Sequence, residues 1–436
     1  MAAFASFGIF LVALLVLMAT RTPVAVALAM VTVAGTAIFV SPAALSQLAS
    51  AAYALSSNFI LVVVPMFILM GEVLSATGIG AALFRAAELW FRRLPGALAI
   101  ATVWACAAFG SVCGSSPITA STIGAMAVPQ MLRRGYRSSL ALGATAAGGT
   151  LGILIPPSIS MIVYGVITDT SIGHLFMAGI VPGIMLATLM SMTIVVIVLR
   201  RPMWAPPITE QPTRAEKWVA LGAVTPVLVL TVTVIGSIYS GAATPTEAGA
   251  VGAAGALVIA LFMRRLSMSI LWISLQKTIR TTAMFLLLLT GGIFSSYLLT
   301  RLGIPQAVSD VMTNLPLPPW AIMVIINLTL LVLGTFMDSG SMIVIVIPIF
   351  LKTIIGLGYD PVWFGIVVTI QSEIAAISPP VGFNLFVLKS VVPGVNLNEV
   401  SNGAMIFVIP MLGAIAILTI FPEIALFLPR LLLSNQ

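Results

Sequence analysis

Apolar residues run along this chain in blocks of about twenty, the length a helix needs to cross a bilayer. The blocks predict helices over about 4–19, 23–40, 59–76, 94–109, 140–168, 175–199, 218–239, 248–263 and 281–299. With the later blocks included, the length accommodates roughly eleven or twelve spans plus shorter re-entrant pieces. Residues 41–58 carry no charge and read as an external loop. Residues 264–280 mix basic and apolar positions and read as an amphipathic helix lying in the interface.

Small, polar stretches interrupt the apolar pattern, and they come in two matched copies. The first is G-S-V-C-G-S-S-P-I-T-A-S-T (110–122) followed by G-G-T-L-G-I-L-I-P-P-S (148–158). The second is G-T-F-M-D-S-G-S (334–341) followed by Q-S-E-I-A-A-I-S-P-P-V-G-F-N (371–384). In each copy a Gly-Tyr pair (Gly135-Tyr136, Gly358-Tyr359) precedes a Pro-Pro pair (Pro156-Pro157, Pro379-Pro380) at the same spacing. Backbone freed from a helix cannot face lipid, because its N–H and C=O groups would go unsatisfied; it survives at membrane depth only where it lines a protein-walled cavity. The pattern therefore predicts an internal repeat around one binding site. Each repeat would hold a helical hairpin and a broken helix.

Composition agrees. The 436 residues are 60% hydrophobic and only 7% charged, against about 25% charged in soluble domains, so the chain is an all-α polytopic membrane protein. Its net charge of +7 does not point to nucleic acid, because the Lys and Arg sit at helix ends, where the positive-inside rule puts them. No basic residue precedes Arg21, so the first block reads as a retained span rather than a cleaved signal. Arg85, Arg92 and Arg93 mark the cytoplasmic side, as does the proline-rich linker after Arg200, which places the N-terminus outside. The first copy is rich in arginine (Arg85, Arg92, Arg93, Arg133, Arg134, Arg137). The matching part of the second carries only Arg301 and Lys352 against Asp310, Asp338 and Asp360. That asymmetry is the pattern of inverted repeats.

The expected organisation is scaffold helices at 1–57, then a first repeat at 58–200 with its hairpin at about 97–135 and its broken helix at about 139–168. A linker follows at 201–217, then further scaffold helices with the interfacial helix at 218–280. The second repeat, at 281–436, has its hairpin at about 320–357 and its broken helix at about 362–391.

Candidate chemistry concentrates in the breaks. Asp338 stands between apolar runs, where a carboxylate costs about 2.5–3.5 kcal/mol even on the lenient insertion scale, and no basic residue is near in sequence. It reads as a ligand or support for a bound cation; the plainer role is a cap on the helix starting near Ser341, and the two are compatible. Glu373 aligns with Thr150 of the first copy and reads as a group in or beside the site, or as a protonated side chain bonded to a neighbouring helix. Asn384 offers an amide to the second break. Ser111, Ser115, Ser116, Thr119, Thr150 and Ser158, with Gly110, Gly114, Gly148 and Gly149, supply hydroxyls and free carbonyls suited to a hard cation. Half-helix N-termini at the same breaks suit an anion. The rival reading is that small residues only let helices pack closely. Glu72 reads as an interface residue and Glu247 as a helix cap. Cys106 and Cys113 make neither a disulfide framework nor a metal spacing, and the single histidine, His174, forms no cluster. No nucleophile–base pair, zinc spacing or phosphate-binding loop is present, which argues against an enzyme or an ATP-driven pump.

The G-S-V-C-G-S-S-P-I-T-A-S-T-I-G-A-M-A-V-P-Q-M, G-G-T-L-G-I-L-I-P-P-S-I-S, A-T-P-T-E-A, F-M-D-S-G-S-M-I-V-I-V-I-P-I-F and I-S-P-P-V-G-F-N-L-F runs resemble the large membrane subunit of TRAP (tripartite ATP-independent periplasmic) transporters. The resemblance covers almost the whole chain. It implies an elevator-type permease of a bacterial inner membrane, in an unfused version. Its partners would be a small four-helix membrane subunit, a soluble periplasmic binding protein and the lipid bilayer, with no nucleic acid. Na⁺ would drive import of an organic acid anion such as a C4-dicarboxylate, sialic acid or a sulfonate, with at least two Na⁺ and no other cofactor. By motif, Na⁺ would lie among Ser111, Gly114, Ser115, Ser116, Gly149, Thr150, Pro156, Asp338, Ser339, Gly340, Ser372, Ser378 and Pro379. Substrate would meet Ser116, Pro117, Thr119, Pro157, Ser158, Ser341, Glu373, Pro380 and Asn384. The alternative is a self-sufficient Na⁺- or H⁺-coupled anion carrier of the two-hairpin type that needs no binding protein. A more distant one is a scaffold or channel-like protein whose breaks only kink helices.

Overall fold

The computed structural model describes residues 2–20, 22–207, 212–335, 337–379 and 382–433, and every regular element among them is helical. The chain opens with α1 (Ala2–Ala19), α2 (Val24–Gly35), α3 (Leu45–Ser56), α4 (Val63–Ala76) and the short α5 (Ile79–Phe91). A hairpin of α6 (Ala97–Cys113) and α7 (Ser116–Arg133) follows. Next come α8 (Ser138–Leu154) and α9 (Ile159–Thr168), two halves bent by 44° about the Pro-Pro pair, and then the long α10 (Ile172–Arg200). Beyond the linker lie α11 (Arg214–Tyr239), α12 (Pro245–Phe262), α13 (Met268–Arg301) and the short α14 (Ile304–Thr313). The second hairpin is α15 (Pro319–Gly334) and α16 (Ser339–Gly356); α17 (Pro361–Ala376), α18 (Phe383–Val391), α19 (Leu397–Ile420) and α20 (Glu423–Leu433) complete the chain.

Helix starts recur in register. α7 begins at Ser116 and α16 at Ser339, α8 at Ser138 and α17 at Pro361; each pair is 223 residues apart, as are Pro156 and Pro379. Local chemistry sets these starts. Gly114 takes the left-handed conformation at the end of α6 (φ 60°) and Ser115 is extended, so the chain reverses into α7, with Pro117 in its first turn, where a missing N–H costs nothing. Asp338 caps α16, and Asp360 caps α17 ahead of Pro361.

α8 is buried along nearly its whole length, among α6, α7 and α19. Glycines permit that crowding. A Cβ on Gly403 would come within 2.9 Å of the Gly143 nitrogen, and one on Gly149 within 2.7 Å of the Ala120 Cβ. The two halves of the chain are also exchanged across the centre: α9 packs on α16, and α18 packs on α7. A second group of helices gathers around α13, which meets α2, α4 and α3, while α12 packs on α4.

Polar ties sit at the edges of the helices. Glu72 pairs with Lys277 at 3.3 Å, joining α4 to α13, and Glu88 with Arg134 at 2.9 Å, joining α5 to the end of α7. Glu247 forms a reciprocal cap with Thr244 at the start of α12. Trp204 anchors the linker to the base of the first hairpin. Its carbonyl accepts the Arg137 N–H at 2.9 Å, and its ring lies 4.4 Å from the Arg137 guanidinium and 5.1 Å from that of Arg201, a cation–π arrangement.

The structure corrects two expectations. Residues 41–58 are not a plain loop but contain α3. Residues 264–280 do not form a separate interfacial helix, since α13 runs unbroken for 34 residues through Arg280; Ser267 caps its start and no Gly or Pro interrupts it before Gly291. Among the described residues, seven helices of 18 residues or more are apolar enough to span a bilayer, or eight with the bent α8–α9 pair. Five shorter apolar helices accompany them, among them α6, α15 and α17 at 16 or 17 residues.

Because α8 and α19 meet at backbone distance, Gly143→Val is expected to destabilise the fold by about 2 kcal/mol or more. Unfolding of purified protein in micelles checks this. A variant as stable as wild type would mean that α8 and α19 are not so close.

Candidate ion and substrate site

The two hairpin tips and the two broken helices converge. At the first tip the Gly114 carbonyl accepts the Ile159 N–H at 3.3 Å, so the start of α9 is bonded directly to the reversal between α6 and α7. A Cβ at Gly114 would come within 2.7 Å of the Pro157 carbonyl oxygen, and Gly110 lies against Gly152 of α8. The Pro156–Pro157 bond is cis. Ser158 caps α9, accepting from the Met161 N–H at 3.3 Å. The Ser115 carbonyl receives both the N–H and the hydroxyl of Thr119, at 3.1 and 2.8 Å.

The second tip is built on a carboxylate. One Asp338 oxygen accepts the N–H groups of Gly340 at 3.0 Å and Ser341 at 3.3 Å, and the other takes the Ser341 hydroxyl. The plain cap foreseen for Asp338 is therefore present, and the residue is otherwise exposed. Beside it, Ser339 donates to Glu373 Oε1 at 3.0 Å and approaches the Ser372 carbonyl at 3.4 Å. Glu373 is buried, with 1% of its surface accessible, and its Oε2 has no partner. Across the centre, Ser116 and Asn384, both buried, contact each other at 3.3 Å through both side-chain atoms of the amide, and Ser116 also lies beside the Glu373 carboxyl.

Ser116, Ser339, Glu373 and Asn384 thus form one polar chain joining the first tip, the second tip and the second broken helix. The remaining hydroxyls are engaged locally. Ser111 donates to Ala108 O, Thr150 to Ala147 O, Ser372 to Thr369 O and Ser378 to Ile374 O, which leaves their oxygen lone pairs as acceptors. Pro379 follows Ser378 in the second break; Pro380 lies outside the described residues. Gly152 was not singled out from the sequence, although the G-x-x-G spacing from Gly149 put a second small residue one turn along the same helix.

Charge is unevenly shared. Where the first copy has Ser115 and Thr150, the second has Asp338 and Glu373, so both acids of the centre come from one half. Among the described residues neither takes part in an ion pair; the pairs seen are Glu72–Lys277, Glu88–Arg134 and Glu423–Arg430. No group of three or more His, Cys, Asp or Glu is placed to hold a transition metal among those residues either. The oxygens gathered here suit a hard cation; the N-terminus of α7, which has no side-chain cap, leaves N–H groups for an anion, whereas those of α9 and α16 are taken by Ser158 and Asp338.

Residues 11–424 match the family model described as "Tripartite ATP-independent periplasmic transporter, DctM component". The chain belongs to this family. It is therefore a multi-pass inner-membrane transport protein, the large permease of a TRAP system, and not an enzyme. It is 36% identical over 399 residues to the C4-dicarboxylate TRAP transporter large permease of Pseudomonas aeruginosa, covering 91% of this chain and 92% of that one. It is 33% identical over 428 residues to the isethionate TRAP transporter permease of Oleidesulfovibrio alaskensis, covering 97% of this chain and 65% of the relative. Among solved structures, the Alcanivorax borkumensis YdaH transporter shares the fold, with a TM-score of 0.60 at 14% identity over 88% of this chain and 90% of that one.

Removing one partner of the Ser116–Asn384 contact leaves a buried polar group unsatisfied, at a cost of about 1–3 kcal/mol. A double-mutant cycle with Ser116→Ala and Asn384→Ala is expected to give a coupling of about 0.5–1.5 kcal/mol in unfolding free energy. Strictly additive losses would mean that the first tip and the second broken helix are not tied here.

Proposed function

We propose that this TRAP permease imports an organic acid anion, handed over by a periplasmic binding protein, with Na⁺ as the driving ion and a small four-helix membrane subunit as its partner. The single observation that carries the ion reading is Glu373, a buried carboxylate with one unpartnered oxygen where both hairpin tips meet. An uncompensated carboxylate at that depth is costly, and a bound Na⁺ beside Ser339, Ser372, Asp338 and the free carbonyls of the break would balance it. A second Na⁺ at the first tip would use Ser111, Gly114, Ser115 and Gly149 to Pro156 in the same way. The substrate carboxylate would lie between the breaks, against the uncapped N-terminus of α7, near Ser116, Thr119, Ser158, Ser341 and Asn384. An anionic substrate is supported by the relatives' own names, a C4-dicarboxylate and isethionate.

In this reading the two series of helices are inverted repeats. The hairpins and broken helices move together as an elevator against a scaffold that includes the helices around α13. α5 and α14, short helices leading into the two hairpins, would be the arms between scaffold and moving body. Each net positive charge carried inward gains about 2.3 kcal/mol per 100 mV, in addition to the Na⁺ gradient.

The test is uptake into proteoliposomes holding this chain and its small subunit, with and without binding protein and an inward Na⁺ gradient. Uptake is expected to require both. Glu373→Gln and Asp338→Ala should each raise the Na⁺ concentration for half-maximal uptake about tenfold, the equivalent of roughly 1.4 kcal/mol of ion binding. Uptake indifferent to Na⁺ would sink the ion assignment, and equal uptake without binding protein would make the chain a self-sufficient carrier. An unchanged Na⁺ response in Asp338→Ala would leave that residue as a cap alone.

A further inference from the structure

Where α5 meets the start of α11, a groove of about 360 Å³ lies between Ala82 and Arg85 of the one and Glu216, Val219, Ala220 and Ala223 of the other. That volume is within the range of small-molecule sites. Arg85, Glu216, Val219 and Ala223 are exposed, so the groove is open along its side. α11 is long and apolar enough to span the bilayer, and from Glu216 to Ala223 the groove follows it for about 10 Å at the helical rise. Two tryptophans mark the depth of its mouth. Trp90, in the last turn of α5, and Trp218, near the start of α11, are both exposed and meet edge to face with ring centroids 6.3 Å apart. Tryptophan collects at the headgroup level. The charged end of the groove therefore lies among headgroups, and its alanines lie below, among acyl chains.

The lining carries one charge of each sign, and both are exposed. Arg85 makes no hydrogen bond and no ion pair among the described residues. Glu216 is committed only in part. Its Oε2 accepts the Thr213 N–H at 2.8 Å, closing the cap of α11, and its Oε1 is left open. The other cations of these two helix ends are not among the described lining residues; Lys217 lies over the Trp90 ring instead, 5.8 Å from its centroid. No ion pair joins Arg85 to Glu216, and an exposed pair would contribute little even if it closed, so both charges are available to a ligand. A phosphate answers the Arg85 guanidinium, and an ammonium with N–H donors answers Glu216 Oε1. A simple anion would bring its charge beside Glu216, and a quaternary ammonium has no donor to offer.

We propose that this groove binds a zwitterionic phospholipid with a primary ammonium, of the phosphatidylethanolamine kind, drawn from the surrounding bilayer. Its phosphate meets the Arg85 guanidinium, its ammonium donates to Glu216 Oε1, and one acyl chain lies over Ala82, Ala220 and Ala223. Alanine keeps both helix surfaces low there, which makes room for the chain. α5 also packs on α6 and α7, so the lipid ties the start of α11 to the helix that leads into the first hairpin. None of the lining residues belongs to the hairpin tips or the broken helices, and the site is separate from that of ion and substrate.

The test uses full-length protein in phosphatidylcholine nanodiscs containing a phospholipid photoprobe with a diazirine on one acyl chain. The same chains carry ethanolamine, choline or glycerol as the headgroup. After illumination, labelling of peptides that contain 82–85 or 215–223 is divided by labelling of the rest of the chain. There the ethanolamine probe should exceed each of the others about fivefold, the effect of one net hydrogen bond. Glu216→Gln keeps the helix cap, since glutamine also closes a capping box, and should bring the ethanolamine probe down to the choline level. Arg85→Gln should lower labelling by every probe, because all carry the phosphate, and Ala223→Phe, which fills the groove, should abolish it. Equal labelling by the ethanolamine and choline probes in the wild type, strongest labelling by the glycerol probe, or a preference that survives Glu216→Gln would each overturn the proposal.

Discussion

Inside a bilayer there is no water to satisfy a backbone group that leaves a helix. Everything at the centre of this permease answers to that constraint. Helix ends meet there and freed groups find partners: the Ile159 N–H in the Gly114 carbonyl of the first tip, the first amides of α16 in its cap Asp338, and the Met161 N–H of α9 in its cap Ser158. Such pairing demands backbones in close contact. Glycine and alanine supply it, most visibly where Gly110 meets Gly152 and where α8 crosses α19. Small residues and an ordered polar centre are thus two sides of one solution, not rival readings of the same sequence.

The same constraint explains why the two halves are interleaved. A hairpin that enters the membrane and turns back cannot bury its own tip. The tip of α6–α7 is closed by α9 from its own half and faces α18 from the other, and α16 receives α9 in turn. Ser116 and Asn384 are 268 residues apart in the chain yet share a contact only because of this exchange. Contacts between the halves therefore run through the centre itself, at α9 on α16 and α18 on α7.

The acids are placed asymmetrically, and chemically this matters more than the shared architecture. With serine and threonine in the first copy and aspartate and glutamate in the second, the centre has a neutral end and an anionic end. Asp338 spends its charge on the helix terminus, where opposing dipole and amides welcome it. Glu373 has only one hydroxyl bond and an open oxygen. The two carboxylates are therefore unequal, and Glu373 is the one with unused capacity.

Much of this was legible from residues alone. The matched Gly-Tyr and Pro-Pro pairs gave the spacing that the helix starts at Ser116 and Ser339 reproduce, because glycine and proline dictate backbone locally, and Thr244 and Glu247 announced their cap by sequence. What sequence could not resolve was continuity and partnership. Nothing local tells that α13 continues through Arg280 or that α3 folds from an uncharged stretch. That Glu373 meets Ser339 and lies beside Ser116 depends on which helices pack together. Local composition fixed where the helices break, and only the tertiary structure decided what fills each break, because a side chain's partner across the fold is set by packing rather than by its neighbours in the chain.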